Sequence, residues 1–227
     1  MMSDIIDRLE TPLNSFISGY VIKPEICDEL INYFTKNKHK ASPGCMWDTT
    51  VQKRVVKKHL KDSLDLVVNP SETIEPIKKY RLALQECFDK HSMRYNQLTG
   101  FSPITINEPI NIQYYPVGGG FKTYHCERKH PSKADRVMVF MTYLNDVDDG
   151  GTKFEYLNIE TPAIKGLTLL WPPEWTHSHK GVVSETKEKY IITGWYNLVS
   201  EDKCHLLPKT PYGNSVKRSL SNFINAR

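Results

Sequence analysis

From Ile104 onward the chain is cut into short apolar or alternating runs separated by Gly, Pro and Asp. Runs this short make strands rather than long helices. They fall at 110–115, 137–144, 153–156, 167–171, 181–183 and 190–198. Their spacing predicts an antiparallel sandwich or barrel, not alternating βαβ units. Upstream the period changes. Residues 24–37 put Ile26, Leu30, Tyr33 and Phe34 at helical spacing behind Pro24, which suits a first helical turn. Residues 71–98 repeat Ile74, Ile77, Tyr80, Leu84, Cys87, Phe88, His91 and Tyr95 at intervals of three and four, a helix that would cover one sheet face. Residues 1–10 also read as an acidic, helix-like start. The 40–66 segment reads as a loop with strand character, including a short strand at 51–56. Helices first and strands later predict an α+β fold.

With 227 residues, 39% of them hydrophobic, the chain suffices for one domain with a sizeable core. We divide it into a helical support and loop region (1–100), a β core (104–199) and a peripheral tail (200–227). Lys plus Arg number 30 and Asp plus Glu 26, a net charge of +4 without a dense basic run, which disfavours a nucleic-acid partner. No apolar run approaches the roughly 20 residues that span a bilayer, and the start lacks a secretion signal, so neither a membrane partner nor export is expected. The five cysteines are odd in number and scattered, with no Cys-x-x-Cys, so a reducing cytoplasm fits better than a disulfide framework or a thiolate zinc site.

Three histidines, His125, His177 and His179, stand at the ends of strand-like runs. His125 and Glu127 lie two apart, which on an extended strand turns both side chains to one face, where they can share a metal ion. A second imidazole some fifty residues later completes two His and one carboxylate, leaving coordination positions open. His177 and His179 compete for that place, and Lys187 and Lys189 each follow one of them by ten residues. Spacing does not separate the pairs. Lys189 heads an apolar strand, where a buried cation needs an anionic partner such as the carboxylate of a cosubstrate.

The stretch from about 110 to 198 resembles the iron(II)- and 2-oxoglutarate-dependent oxygenases of the prolyl 4-hydroxylase family. The resemblance rests on Tyr115-Pro116-Val117-Gly118-Gly119 before His125, Tyr143-Leu144-Asn145, Asp149-Gly150-Gly151-Thr152-Lys153-Phe154, Lys165-Gly166 with Leu169-Leu170-Trp171-Pro172-Pro173, and Lys189 with Trp195. It favours His179, which precedes Lys180-Gly181-Val182-Val183 much as the family's distal His precedes x-Gly-x-Val. The resemblance implies a double-stranded β-helix, or jelly-roll, core with N-terminal supporting helices. It implies His125, Glu127 and His179 as iron ligands, Lys189 on the distal carboxylate of 2-oxoglutarate, Tyr115, Tyr143 and Thr193 near it, and Trp195 as a pocket wall. The implied cofactors are Fe(II), 2-oxoglutarate and O2, with ascorbate as an accessory. One departure stands out: the family's usual carboxylate is Asp, and here it is Glu127. The implied reaction hydroxylates a prolyl residue of a peptide or protein with release of succinate and CO2. Arg128 and the 40–66 segment are expected to border the substrate entrance. The rivals are hydroxylation of a free amino acid or other small molecule, a non-catalytic metal-binding jelly roll, and a zinc hydrolase.

Overall fold

The computed structural model describes residues 6–48, 50–100 and 103–200. All but the first residue of the tail expected at 200–227, with Cys204 and His205, lies outside the described residues, as does the first half of the helix-like start, residues 1–5. Where that start is described it is a strand, β1 (Ile6–Leu9), because it pairs antiparallel with β2 (Ser18–Val21).

Two helices follow the expected periodicity. α1 (Pro24–Lys36) has Pro24 in its first turn and buries Cys27, Leu30 and Phe34. After β3 (Leu64–Val68) comes α2 (Glu75–Arg94), shorter than the expected 71–98, which buries Ile77, Tyr80, Leu84, Cys87 and Phe88. The remaining main strands are β4 (Ile110–Tyr115), β5 (Arg136–Tyr143), β6 (Val147–Phe154), β7 (Ile159–Ala163), β8 (Leu167–Trp171), β9 (His179–Gly181) and β10 (Lys189–Leu198). Their pairings are antiparallel. The large sheet runs β1-β2-β8-β5-β10-β4-β3 and ends on a short strand at Ser42–Pro43; the small sheet runs β7-β6-β9. This is the expected α+β jelly roll, with the helices stacked on one side.

Upstream, β2 and β3 were not among the expected strands, and within 104–199 three main strands depart clearly from expectation. β6 begins at Val147, not 153, because a register shift between Val147 and Thr152 lets the turn-like Asp148-Asp149-Gly150-Gly151 join the ladder. A Cβ at Gly151 would collide with the carbonyl oxygen of Thr161, so the close pairing needs glycine there. β7 was not among the expected runs; it contains Pro162 and pairs only with β6, and an edge strand tolerates proline. β9 starts at His179, not 181, because His179 pairs with Phe154. Within the 40–66 segment, Lys53–Val55 is the second arm of a hairpin whose first arm is Met46–Asp48.

Alternation along each strand of the large sheet divides the interior into two cores. Ile110, Ile112, Met138, Phe140, Leu170 and Ile192 pack with α1 and α2. Tyr115, Val139, Met141, Tyr143, Leu169, Trp171 and Ile191 pack toward the small sheet with Phe154 and Val147. Among the described residues no helix is long and apolar enough to cross a membrane.

Candidate active site

Between the two sheets lies a cleft of about 680 Å³, whose lining runs from His125, Glu127 and His179 to Lys189. His125 and His179 face each other across an isolated antiparallel bridge, each backbone N–H donating to the other's carbonyl, at 3.0 and 2.9 Å. The backbone N–H of Glu127 donates to Pro173 O at 3.1 Å, which seats the carboxylate beside both rings. Glu127 Oε1 stands 3.3 Å from His125 Nε2 and 3.7 Å from His179 Nε2. One ligand atom from each of the three lies within 4.8 Å of the others.

The second nitrogen of each ring is already committed. His125 Nδ1–H donates to Thr123 O at 3.1 Å and His179 Nδ1–H to His177 O at 2.9 Å. These bonds fix the tautomer that leaves both Nε2 lone pairs free. Burial first, then the neighbouring His125, takes His179 down to about 3. Burial alone would raise Glu127, but His125 at its side, then His179 and the Arg136 guanidinium, overcome it and bring the carboxyl to about 2. A neutral His179 and an ionised Glu127 are the forms a divalent metal requires. Phe121 stacks on His125 with ring centroids 3.7 Å apart, and Trp171 meets His179 edge-on.

His177 points elsewhere: its Nε2–H donates to Ser15 O at 2.8 Å, and Thr176 Oγ1 lies 2.9 Å from Nδ1. Lys187 lies at the surface, 3.8 Å from Asp148. Geometry therefore separates the two pairs that spacing could not. Lys189 is buried, donates to Gly150 O (2.6 Å) and Val182 O (2.7 Å), and forms no ion pair among the described residues. Burial lowers its pKa to about 8, against a smaller opposing pull from Asp149. The motif residues around it act as a frame. Asn145 accepts from Tyr190 N and donates to Glu188 O, while Asp149 takes three hydrogen bonds from the 184–186 turn.

Of the other expected residues, Tyr115, Tyr143, Thr193 and Trp195 line the cleft. Tyr115 OH donates to Gln113 Oε1 (2.7 Å), Tyr143 OH bonds Thr152 and Thr161, and Thr193 Oγ1 donates to Phe140 O. The indole N–H groups of Trp195 and Trp171 are buried without a partner, two donors open to an oxygen-bearing occupant. Arg128 does not line the cleft. Its guanidinium is tied to the carbonyls of Ala134 and Arg136 and to Glu174, so the expectation that it contacts substrate is corrected.

Sequence reasoning missed Arg136. It donates to Glu127 O (2.8 Å), approaches Glu127 Oε2 (3.5 Å), grips Glu108 through two 2.8 Å bonds and lies 3.5 Å over the Trp195 ring. Its signal was the one that exposed Lys189, a cation heading an apolar strand. Also missed was a buried polar chain in which Gln113 donates to Asp65, itself bonded to Lys61 (2.7 Å) and Ser63.

Residues 110–197, which contain the triad and Lys189, match the 2OG-Fe(II) oxygenase superfamily. The chain carries a 2OG-Fe(II) oxygenase domain. It is a 2-oxoglutarate-dependent dioxygenase of a family that uses iron(II), 2-oxoglutarate and O2. No curated protein matches the chain in sequence. The oxygenase shares its fold with a Pseudomonas putida prolyl-4-hydroxylase (15% identity, 82% of this chain and 94% of that one, TM-score 0.58). It shares it also with a viral collagen prolyl hydroxylase from Paramecium Bursaria Chlorella virus-1, in its 2OG complex (19%, 81% and 97%, 0.58). A third similar structure is a Trichoplax adhaerens prolyl hydroxylase in complex with a hypoxia inducible factor peptide fragment (17%, 82% and 86%, 0.59).

Proposed function

We propose that this oxygenase hydroxylates a prolyl residue in a peptide or protein, using iron(II) held by His125, Glu127 and His179. The observation that carries the reading is the convergence of His125 Nε2, His179 Nε2 and Glu127 Oε1 at one end of a cleft whose other end holds a buried ammonium without a carboxylate. Bound iron(II) with 2-oxoglutarate supplies oxygen activation, with ascorbate as an accessory reductant. The chain's own residues do the rest. Lys189 pairs with the distal carboxylate of 2-oxoglutarate, a charge-assisted contact worth roughly 1.5–3 kcal/mol. Trp195 and Trp171 offer their unpartnered N–H donors, and Met141 and Ile191 wall the pocket against water. Glu127 performs the part that Asp has in the family; Arg136 takes hold of its backbone carbonyl and faces its outer oxygen, which limits the freedom of the extra methylene.

A peptide substrate is favoured over a free amino acid because the cleft reaches the surface, where exposed Ser42, Pro43, Trp47 and Lys129 line it. An extended, proline-containing segment enters such a cleft at low ordering cost. The cytoplasm remains the compartment we propose, on the scattered cysteines. The test is mass spectrometry of a proline-containing peptide library incubated with iron(II) and 2-oxoglutarate. A gain of one oxygen on proline with matching succinate is expected. Oxygen gained only by free amino acids would overturn the peptide reading, and no 2-oxoglutarate-dependent succinate would overturn the whole.

A further inference from the structure

The cleft mouth carries a positive imbalance of its own, apart from the buried Lys189. Each carboxylate lining the cleft is matched by a cation: Asp65 by Lys61 at 2.7 Å, Glu108 by Arg136 and by Lys133 at 2.5 Å, and Glu127 by Arg136 besides the two imidazoles. Arg54 and Lys129 also line the cleft, are exposed, and make no ion pair among the described residues. They come from two separate segments of the lining. Arg54 belongs to the Met46–Asp48/Lys53–Val55 hairpin, where it is the cross-strand partner of Trp47; directly opposed residues share one face of a hairpin. Lys129 adjoins His130, whose ring lies 5.4 Å from that of Trp47. Trp47 is 43% exposed, an indole left open beside the two cations.

We propose that this mouth selects an acidic peptide, one with Asp or Glu beside the residue that enters the cleft. Resting on the proposed peptide hydroxylation, it names the kind of peptide. Arg54 and Lys129 meet the acidic side chains, and Trp47 packs against the chain between them. Because both cations are solvated, each contributes modestly, and together they give a preference rather than an absolute requirement.

The experiment uses fluorescent eight-residue peptides titrated by anisotropy onto the protein loaded with manganese(II) and 2-oxoglutarate. The residues flanking a central proline are Asp/Glu, Asn/Gln or Lys, and a second set carries alanine in place of proline. Acidic peptides are expected to bind about tenfold more tightly than neutral ones, with the advantage reduced by added salt and abolished or inverted in the double variant R54E/K129E. Equal binding of acidic and neutral peptides, or a preference that survives the double variant, overturns the inference. If the acidic preference persists with alanine at the centre, the charged mouth stands even where proline hydroxylation fails. If it is missing while proline peptides still gain oxygen, the mouth falls alone. A fluorescent oligothymidylate that outcompetes the acidic peptide and is lost in the same variant would overturn the peptide reading of this surface in favour of a nucleic acid.

Discussion

Along β5, Met138 and Phe140 face the helices, while Val139, Met141 and Tyr143 face the small sheet and the cleft. The helix-side layer is closed by apolar contact, and its inward polar groups are mostly paired, Tyr80 OH with Thr142 Oγ1, Thr142 with Thr168, and His91 with Ser18, while Ser92 Oγ on α2 stands without a partner. The cleft side, built on the same strands, keeps an ammonium without a carboxylate and two indole N–H groups without acceptors. Buried polar groups are nearly always satisfied, so open donors that line a cleft mark where a ligand belongs. One face holds the fold; the other is incomplete until occupied.

That division is open to test, and the largest effect is expected on the helix side. Phe140→Ala should cost roughly 3–5 kcal/mol of stability in chemical denaturation. Its folded fraction should still bind manganese(II); lost metal binding in folded protein would show that the faces are not independent. On the cleft side, His179→Ala should weaken manganese(II) binding by more than about a hundredfold, since even outer partners of a ligand cost 10–100-fold. His177→Ala should keep metal binding and lose about 1–2 kcal/mol of stability instead, because Ser15 O is left without its donor.

Next in size is Lys189→Ala, expected to raise the KM for 2-oxoglutarate by roughly 10–100-fold. The wild-type affinity should also depend on pH. Burial holds the free Lys189 near 8, and a bound carboxylate raises it. Binding is therefore strongest below about pH 8 and weakens above it as the empty site loses its proton, whereas Lys189→Ala should lack this dependence. A wild-type affinity that is flat between pH 7 and 9.5 would remove Lys189 from cosubstrate binding. The smallest effect belongs to Thr193→Val, expected to change 2-oxoglutarate affinity by less than about threefold, because its hydroxyl hydrogen already goes to Phe140 O. A larger loss would return Thr193 to the cosubstrate contacts.

The periodic parts of the fold were legible from residues alone. α1, β4 and β8 follow apolar spacing because burial on one face is what the pattern encodes. β6 and β7 were obscured by Asp-Gly-Gly and Pro162, which are turn signals locally and acceptable only through a register shift and an edge position, facts of pairing rather than of composition. The His125, Glu127 and Lys189 positions were legible through strand period and the cost of a buried charge. Spacing alone did not separate His179 from His177; the resemblance favoured His179 through Lys180-Gly181-Val182-Val183, and the physical reason His177 stays out of the site, its hydrogen bond to Ser15 some 160 residues earlier, was not legible in the sequence. Arg128 misled because its neighbour in sequence is Glu127, whereas its partners close the loop behind the site.

The bridge between His125 and His179 joins the two rings through main chain, not through a pair of pliable loops. Folding itself therefore sets their separation, and an arriving ion meets an assembled cradle whose stiffness comes from a ladder it had no part in building. Such a seat discriminates among cations by their fit to it, and its emptying leaves the surrounding architecture standing.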